Sequence, residues 1–182
     1  MSNFISIDKL YYAVQTKDDE TGATYSTPKP LGAAVQISAD PTVASGSFYG
    51  DGFLKEQAYM VTDAKVSVET ESLPIEIYAE LLGHELDSQG GMTFGKFDQA
   101  PYVCLMYRRQ KVNGHYRYIK LLKVKFQDIK DDGSTVNNSV KIQDETLDGS
   151  AITRIFDGQW KAIKDEDAEG YTDVSTSWFA SV

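Results

Sequence analysis

Residues 72–84, SLPIEIYAELLGH, and 100–126, APYVCLMYRRQKVNGHYRYIKLLKVKF, decide how the chain folds. In the first, Pro74 suits the opening helical position and Gly83 the position just past the end. Proline has no amide to leave unpaired there, and glycine tolerates a left-handed backbone. Ile75, Tyr78 and Leu82 share one face, with Leu81 beside them, and predict a helix over 74–83 that packs on a sheet. In the second, Asn113-Gly114 is a two-residue hairpin signal. It joins strands predicted over Tyr102–Lys111 and His115–Gln127. The latter carries apolar residues on both faces near Ile119, Leu121 and Leu122, which predicts a central or bulged strand. The stretch brings no set of catalytic groups together and reads as a building block whose surface is used for contact.

Outward from this stretch the pattern is mostly period two. Lys9–Thr16 is rich in Tyr and Val and predicts a strand, with a polar turn after it over Lys17–Gly22. Pro28 and Pro30 then break any regular element. Ala33, Val35 and Ile37 alternate with Ala34, Gln36 and Ser38, as Ala64, Val66 and Val68 do with Lys65, Ser67 and Glu69. Between these strands lies a long loop, about residues 40–62, with Pro41, Gly46, Gly50 and Gly52 among Phe48, Tyr49, Phe53, Leu54, Tyr59 and Met60. Loops of this length are uncommon in compact domains. Two readings stand side by side: a mobile loop or hairpin packed on its own domain, and an arm that orders against another subunit. Downstream, Asp131–Ser134 predicts a loop, Val140–Asp157 one or two strands, and Asp157-Gly158 a hairpin turn leading into Gln159–Ile163. The fold class expected is α+β, mostly β: antiparallel, sandwich or barrel-like, with one flanking helix. A single domain spans 1–182, with a C-terminal arm over 165–182.

The 182 residues, 41% hydrophobic and 12% aromatic, are enough for one sizeable core. No apolar run approaches the roughly 18 residues of a membrane span, and MSNFISIDKLYYA lacks the basic and apolar regions of a secretory signal. Cys104, the lone cysteine, lies in an apolar strand pattern and reads as a buried, inert thiol. The net charge is −9, yet no acid occurs between Gln99 and Gln127, where Arg108, Arg109, Lys111, Arg117, Lys120, Lys123 and Lys125 fall. From Val140 onward nine acids face four bases, net −5. A basic hairpin within an acidic molecule is either a solvated face or one half of a charge-complementary contact between copies.

Catalytic and metal chemistry find little support. His84 sits at a helix exit, where the dipole suffices to explain it, and His115 comes just after a turn. Nucleotide-binding glycine patterns and nucleophile elbows are absent. Asp165-Glu166-Asp167-Ala168-Glu169-Gly170 matches the start of a calcium loop, but Thr176 stands where the closing glutamate belongs, so it reads as a solvated acidic turn. Arg and Lys interleaved with Tyr107, Tyr116 and Tyr118 resemble a single-strand platform; overall acidity and plain strand alternation argue against one. No cofactor and no metal is expected.

The order of elements is more telling than any single piece. A Lys-Leu-Tyr-Tyr-Ala strand and Asp-Asp-Glu-Thr-Gly turn precede Leu-Pro-Ile-Glu-Ile-Tyr-Ala-Glu-Leu-Leu-Gly-His. Ala-Pro-Tyr-Val then leads into the Asn-Gly-His-Tyr-Arg-Tyr hairpin. Asp-Gly-Gln-Trp-Lys (157–161), an acidic cluster and a final Trp178-Phe179 complete the set. Over nearly its whole length the chain resembles the major tail proteins, or tail tube proteins, of long-tailed siphophages and prophages of Gram-positive bacteria. The resemblance implies a non-enzymatic virion subunit, made in the host cytoplasm and placed in the tail. Hexameric rings stack into a tube around a tape-measure protein, and DNA passes through as a non-specific passenger. Tail terminator and baseplate or initiator proteins would be further partners, and no membrane is involved. On that reading Phe48, Tyr49, Phe53 and Leu54 make inter-ring contacts, and Arg108, Arg109, Lys111, Arg117 and Lys120 form an intra-ring basic face. Trp178 and Phe179 dock the C-terminus on the same or an adjacent subunit. The alternatives are a terminator or adaptor ring protein of similar fold and a sugar-binding β-sandwich; an enzyme ranks last.

Overall fold

The computed structural model describes residues 2–129 and 144–182. Its elements are β1 (Phe4–Asp19), β2 (Gly22–Tyr25), β3 (Lys29–Gly32), β4 (Ala34–Gly50), β5 (Phe53–Thr70), α1 (Ile75–Leu82), β6 (Glu85–Leu86), β7 (Met92–Thr93), β8 (Val103–Lys111), β9 (Tyr116–Phe126), β10 (Glu145–Ala151) and β11 (Lys161–Asp165). The expected Asp131–Ser134 loop and the start of the Val140–Asp157 segment lie outside the described residues.

One antiparallel sheet dominates, in the order β2-β1-β8-β9-β10-β5-β4, with β3 also on β1 and β11 also on β9. Its two ends are joined by the chain itself: β3 pairs with β1, and after Ala33 the chain enters β4 on β5. The sheet therefore folds over its own core as a sandwich and does not close into a barrel ladder. Leu10, Leu31, Val66, Val68, Leu105, Leu121 and Leu147 fill the core between its layers, capped by Leu81 and Leu82 of α1.

Single extra residues decide which side chains reach this core. The β1–β8 register shifts between Asp8 and Tyr11, where Lys9 has φ 53°. Before the shift Ile7 faces the core; after it Leu10, Tyr12 and Val14 do. On β9 the shift falls between Leu121 and Val124, so Ile119 and Leu121 are joined in the same core by Val124 and Phe126. Leu122 turns to the opposite layer beside Cys104 and Met106. The two-faced apolar pattern of β9 thus has both expected causes, since β9 is central and bulged.

The helix forms where its local signals place it, with Pro74 as the residue before the first turn and Gly83 at φ 76° closing the last. A Cβ at Gly83 would lie 2.2 Å from the Gln99 carbonyl oxygen. Tyr78 donates to Glu145 at 2.5 Å, and Glu80 accepts from Lys29 and Tyr12, so α1 is bound to three strands. The Asp157-Gly158 turn is real but joins no hairpin: β10 and β11 both pair with β9 and not with each other.

Residues 40–62 are not a loop. They form the distal half of a β4–β5 hairpin whose ladder runs unbroken in strand character from Ala34↔Thr70 to Gly50↔Phe53. The glycines and Pro41 that suggest a loop sit instead in an edge strand and a turn, places that tolerate them. Thr62 is an extra residue where this hairpin leaves the body, between the pairs Thr42↔Asp63 and Val43↔Val61. Its hydroxyl lies 3.3 Å from the Thr42 carbonyl and 2.9 Å from Asp63.

Candidate functional site

β10 covers the edge of β5 only over Ala64–Thr70. Beyond Ala64, and beyond Pro41 on β4, no described strand flanks the hairpin on either edge. Residues 42–50, at about 3.3 Å each, reach about 30 Å outward. Asp51 (φ 54°) and Gly52 (φ 80°) turn the tip with two left-handed residues, the geometry that matches strand twist in a two-residue loop. That Asp-Gly pair was the available sequence signal for a hairpin.

Both faces of the arm are apolar. Alternation along β4 puts Phe48 and Gly50 on one face, and cross-strand pairing adds Phe53 and Met60. The other face carries Val43, Tyr49, Leu54 and Tyr59. The large apolar side chains are all exposed, Phe53 at 72%, Met60 at 67%, Tyr59 at 66% and Tyr49 at 65%. A sheet solvated on both faces does not assemble such a set by chance, since isolated two-stranded hairpins are marginal in water and exposed apolar patches mark contact surfaces. Tyr59 and Met60 belong to the arm as fully as the four residues expected there. Their distance in sequence from Phe48 hid the relationship that the ladder creates.

The basic hairpin β8–β9 meets its acids inside the chain. Arg108 donates through Nε and Nη2 to Asp8, both at 2.7 Å, and stacks 3.9 Å from the Tyr116 ring. Lys111, buried, donates to Asp165 and to Asp167. Arg117 donates to Asp165 at 2.6 Å. Lys120 reaches the Ser181 carbonyl at 2.7 Å and lies 4.5 Å over the Trp178 ring. The antiparallel pairing of β11 with β9 brings Asp165 directly opposite Arg117, which is why these charges find each other. Arg109 has neither an acid nor a carbonyl partner among the described residues: its guanidinium lies 4.0 Å over Phe4, and its Nε is buried without a partner.

The start of the calcium-like run is thus engaged by side-chain cations. Burial raises the Asp165 carboxyl, but Lys111, the Asp167 amide and Arg117 together hold it below the usual range. Asp167 is pulled down to about 2, first by Lys111 and then by His115. Trp178 and Phe179 dock on their own chain: Trp178 packs 6.0 Å from Tyr118, and Phe179 5.2 Å from Tyr11, covering the layer that holds Met106 and Leu122. Cys104 lies in that layer, fully buried, its thiol pushed up to about 12 by burial. His84 is buried between Asp98 and Asp128, with Nδ1 at 2.7 Å and Nε2 at 3.0 Å from their oxygens, and ties the helix exit to the end of β9. Among the described residues no helix is long and apolar enough to cross a membrane.

A family model described as phage tail tube protein matches residues 42–178. That span contains the distal arm, α1 and the β8–β9 hairpin and ends on Trp178. No curated protein matches the chain.

Proposed function

The chain belongs to the phage tail tube protein family, and from that premise we propose that it is the ring-forming subunit of the tube, with the β4–β5 arm as its inter-ring contact. A structural role in the virion tail and self-assembly come with the family. The observation that carries the finer reading is the arm: about 30 Å of hairpin with unpaired edges and apolar side chains on both faces. Such a surface needs a partner that covers both faces at once, and stacked rings of identical subunits supply one. Burial of Phe48, Tyr49, Phe53 and Leu54 would contribute on the order of 1.5–3 kcal/mol for each of the larger side chains. Repeated around a ring, that is ample to hold one layer on the next.

Rings of heterologous contacts close by rotation and extend by stacking. In the proposed assembly they are hexameric and surround a tape-measure protein. They end at a terminator and begin on a baseplate or initiator complex. The net charge of −9 suits a channel through which DNA slides without adhering. The subunit is made in the host cytoplasm and functions in the tail.

Negative-stain electron microscopy of the purified protein across a concentration series tests this. Hollow tubes with a regular ring repeat are expected. Single closed rings that never stack would instead assign the chain to a terminator or adaptor.

A further inference from the structure

The internal pairing of the β8–β9 charges is incomplete at one corner. Arg109 and Arg117 are directly opposite in the β8–β9 ladder, an arrangement of like charges that is destabilising on its own. Phe4 lies between them, its ring centre 4.0 Å from one guanidinium and 4.9 Å from the other. Lys161 projects on the same sheet face, since it pairs with Leu121, two positions along the strand from Ile119 and four from Arg117. Asp165 answers Arg117 but is shared with buried Lys111. Among the described residues no carboxylate lies within ion-pairing distance of Arg109 or Lys161. Burial, and then Arg109 and Arg117, push the Lys161 ammonium below the usual lysine range, as expected of a cation held near others without an anion. Ile163, 49% exposed, borders the corner on β11.

We propose that Arg109, Arg117 and Lys161, with Phe4 and Ile163 at their margin, form a socket for a carboxylate of a second copy of this chain. The choice of partner rests on charge: the corner is cationic in a molecule of net charge −9, whose copies offer exposed, unpaired carboxylates such as Asp40 and Glu56 among the described residues. Fork-shaped guanidiniums fixed by an aromatic ring are suited to carboxylate geometry. Nucleic acid has the same charge, but phosphate contacts made in every subunit would hold a DNA that has to slide. The socket rests on the tube reading, and its role is to set partner register and salt sensitivity of assembly.

Carbodiimide coupling of tubes grown from an equal mixture of nitrogen-15-labelled and unlabelled protein tests the contact, because it joins Lys161 to a carboxylate with no spacer. Lys161 should appear in mixed-isotope pairs with an Asp- or Glu-containing peptide. In parallel, R109Q/K161Q should fold with an unchanged melting temperature, raise the critical concentration for assembly about tenfold or more, and flatten its salt dependence; R109K/K161R, which keeps both charges but not the Arg109 fork, should restore the salt dependence. Lys161 cross-linked only within single chains would overturn the socket, as would a double glutamine variant that assembles like wild type, and either leaves the tube reading standing. Loss of DNA retention in that variant without loss of assembly would reassign the corner to phosphate. Wild-type protein that never assembles would remove both.

Discussion

Lys111 Nζ lies 2.5 Å from Asp167 Oδ2 although only 4% of the lysine side chain is exposed. The pair pins the segment after β11 against the β8–β9 turn, with Asn113 and His115 adding hydrogen bonds to the same carboxylate. Asp167 falls from an ordinary 3.8 to about 2, so its folded form holds the proton less tightly than the unfolded chain. This stability is therefore fully present above about pH 4 and is lost as pH falls through 2. Tryptophan fluorescence and amide exchange of residues 165–182 should stay native at pH 4 and change between pH 4 and 2. In K111M the change should begin nearer the ordinary aspartate range. Release of the segment at pH 5–6 in the wild type would contradict the pairing.

Trp178→Ala should cost about 3 kcal/mol or more, the usual range for emptying a buried aromatic site. Trp178 is 7% exposed and covers Tyr118. Its loss should loosen the C-terminal segment and uncover the Met106–Leu122 layer. Urea unfolding and dye binding at apolar surface read the two effects, and a stability change below about 1 kcal/mol would show that the segment contributes little to the fold.

Replacing Phe48, Tyr49 and Phe53 together with Ser should leave the unfolding free energy within about 0.5 kcal/mol per site, because all three are exposed. Tube growth should stop. Normal tubes from this variant would remove the arm from assembly.

Gly83→Ala should destabilise by roughly 2–4 kcal/mol. The left-handed backbone alone costs an alanine about 1–2 kcal/mol, and the added carbon would press on the Gln99 backbone. Neither partner is a flexible side-chain end, so relaxation must move the helix exit that His84 also anchors. A urea midpoint equal to wild type would show that the 99–100 backbone yields freely.

The parts legible in the sequence were those with local causes. Pro74 and Gly83 bound the helix, and Asn113-Gly114 sets the turn, because each acts through its own backbone. The arm was hidden because Pro41, Gly46 and Gly50 are ordinary loop residues, and only the partner strand shows them to be laddered. The fate of the basic hairpin was hidden for a different reason. Lys111 and Asp167 are 56 positions apart, and composition reports the charges without saying which pair. The bulge between Leu121 and Val124 showed in the sequence as apolar residues on both faces of β9, whereas the one at Lys9 left no such mark; each reverses which side of its strand faces the core.

Thr62 gives the arm a joint that is separable from everything around it. One unpaired residue bends and twists the ladder at the root of the hairpin, between Asp63 of the body and Val61 of the arm; the other register shifts of this ladder, at Ala34/Gln36 and Phe48/Tyr49, lie away from the junction. Removing it would straighten the junction while leaving every cross-strand pair of the outer ladder as it is. The direction in which the hairpin points is therefore encoded apart from both the core that supports it and the aromatics at its end. A lineage could re-aim the hairpin by editing a single position, with no need to redesign either surface.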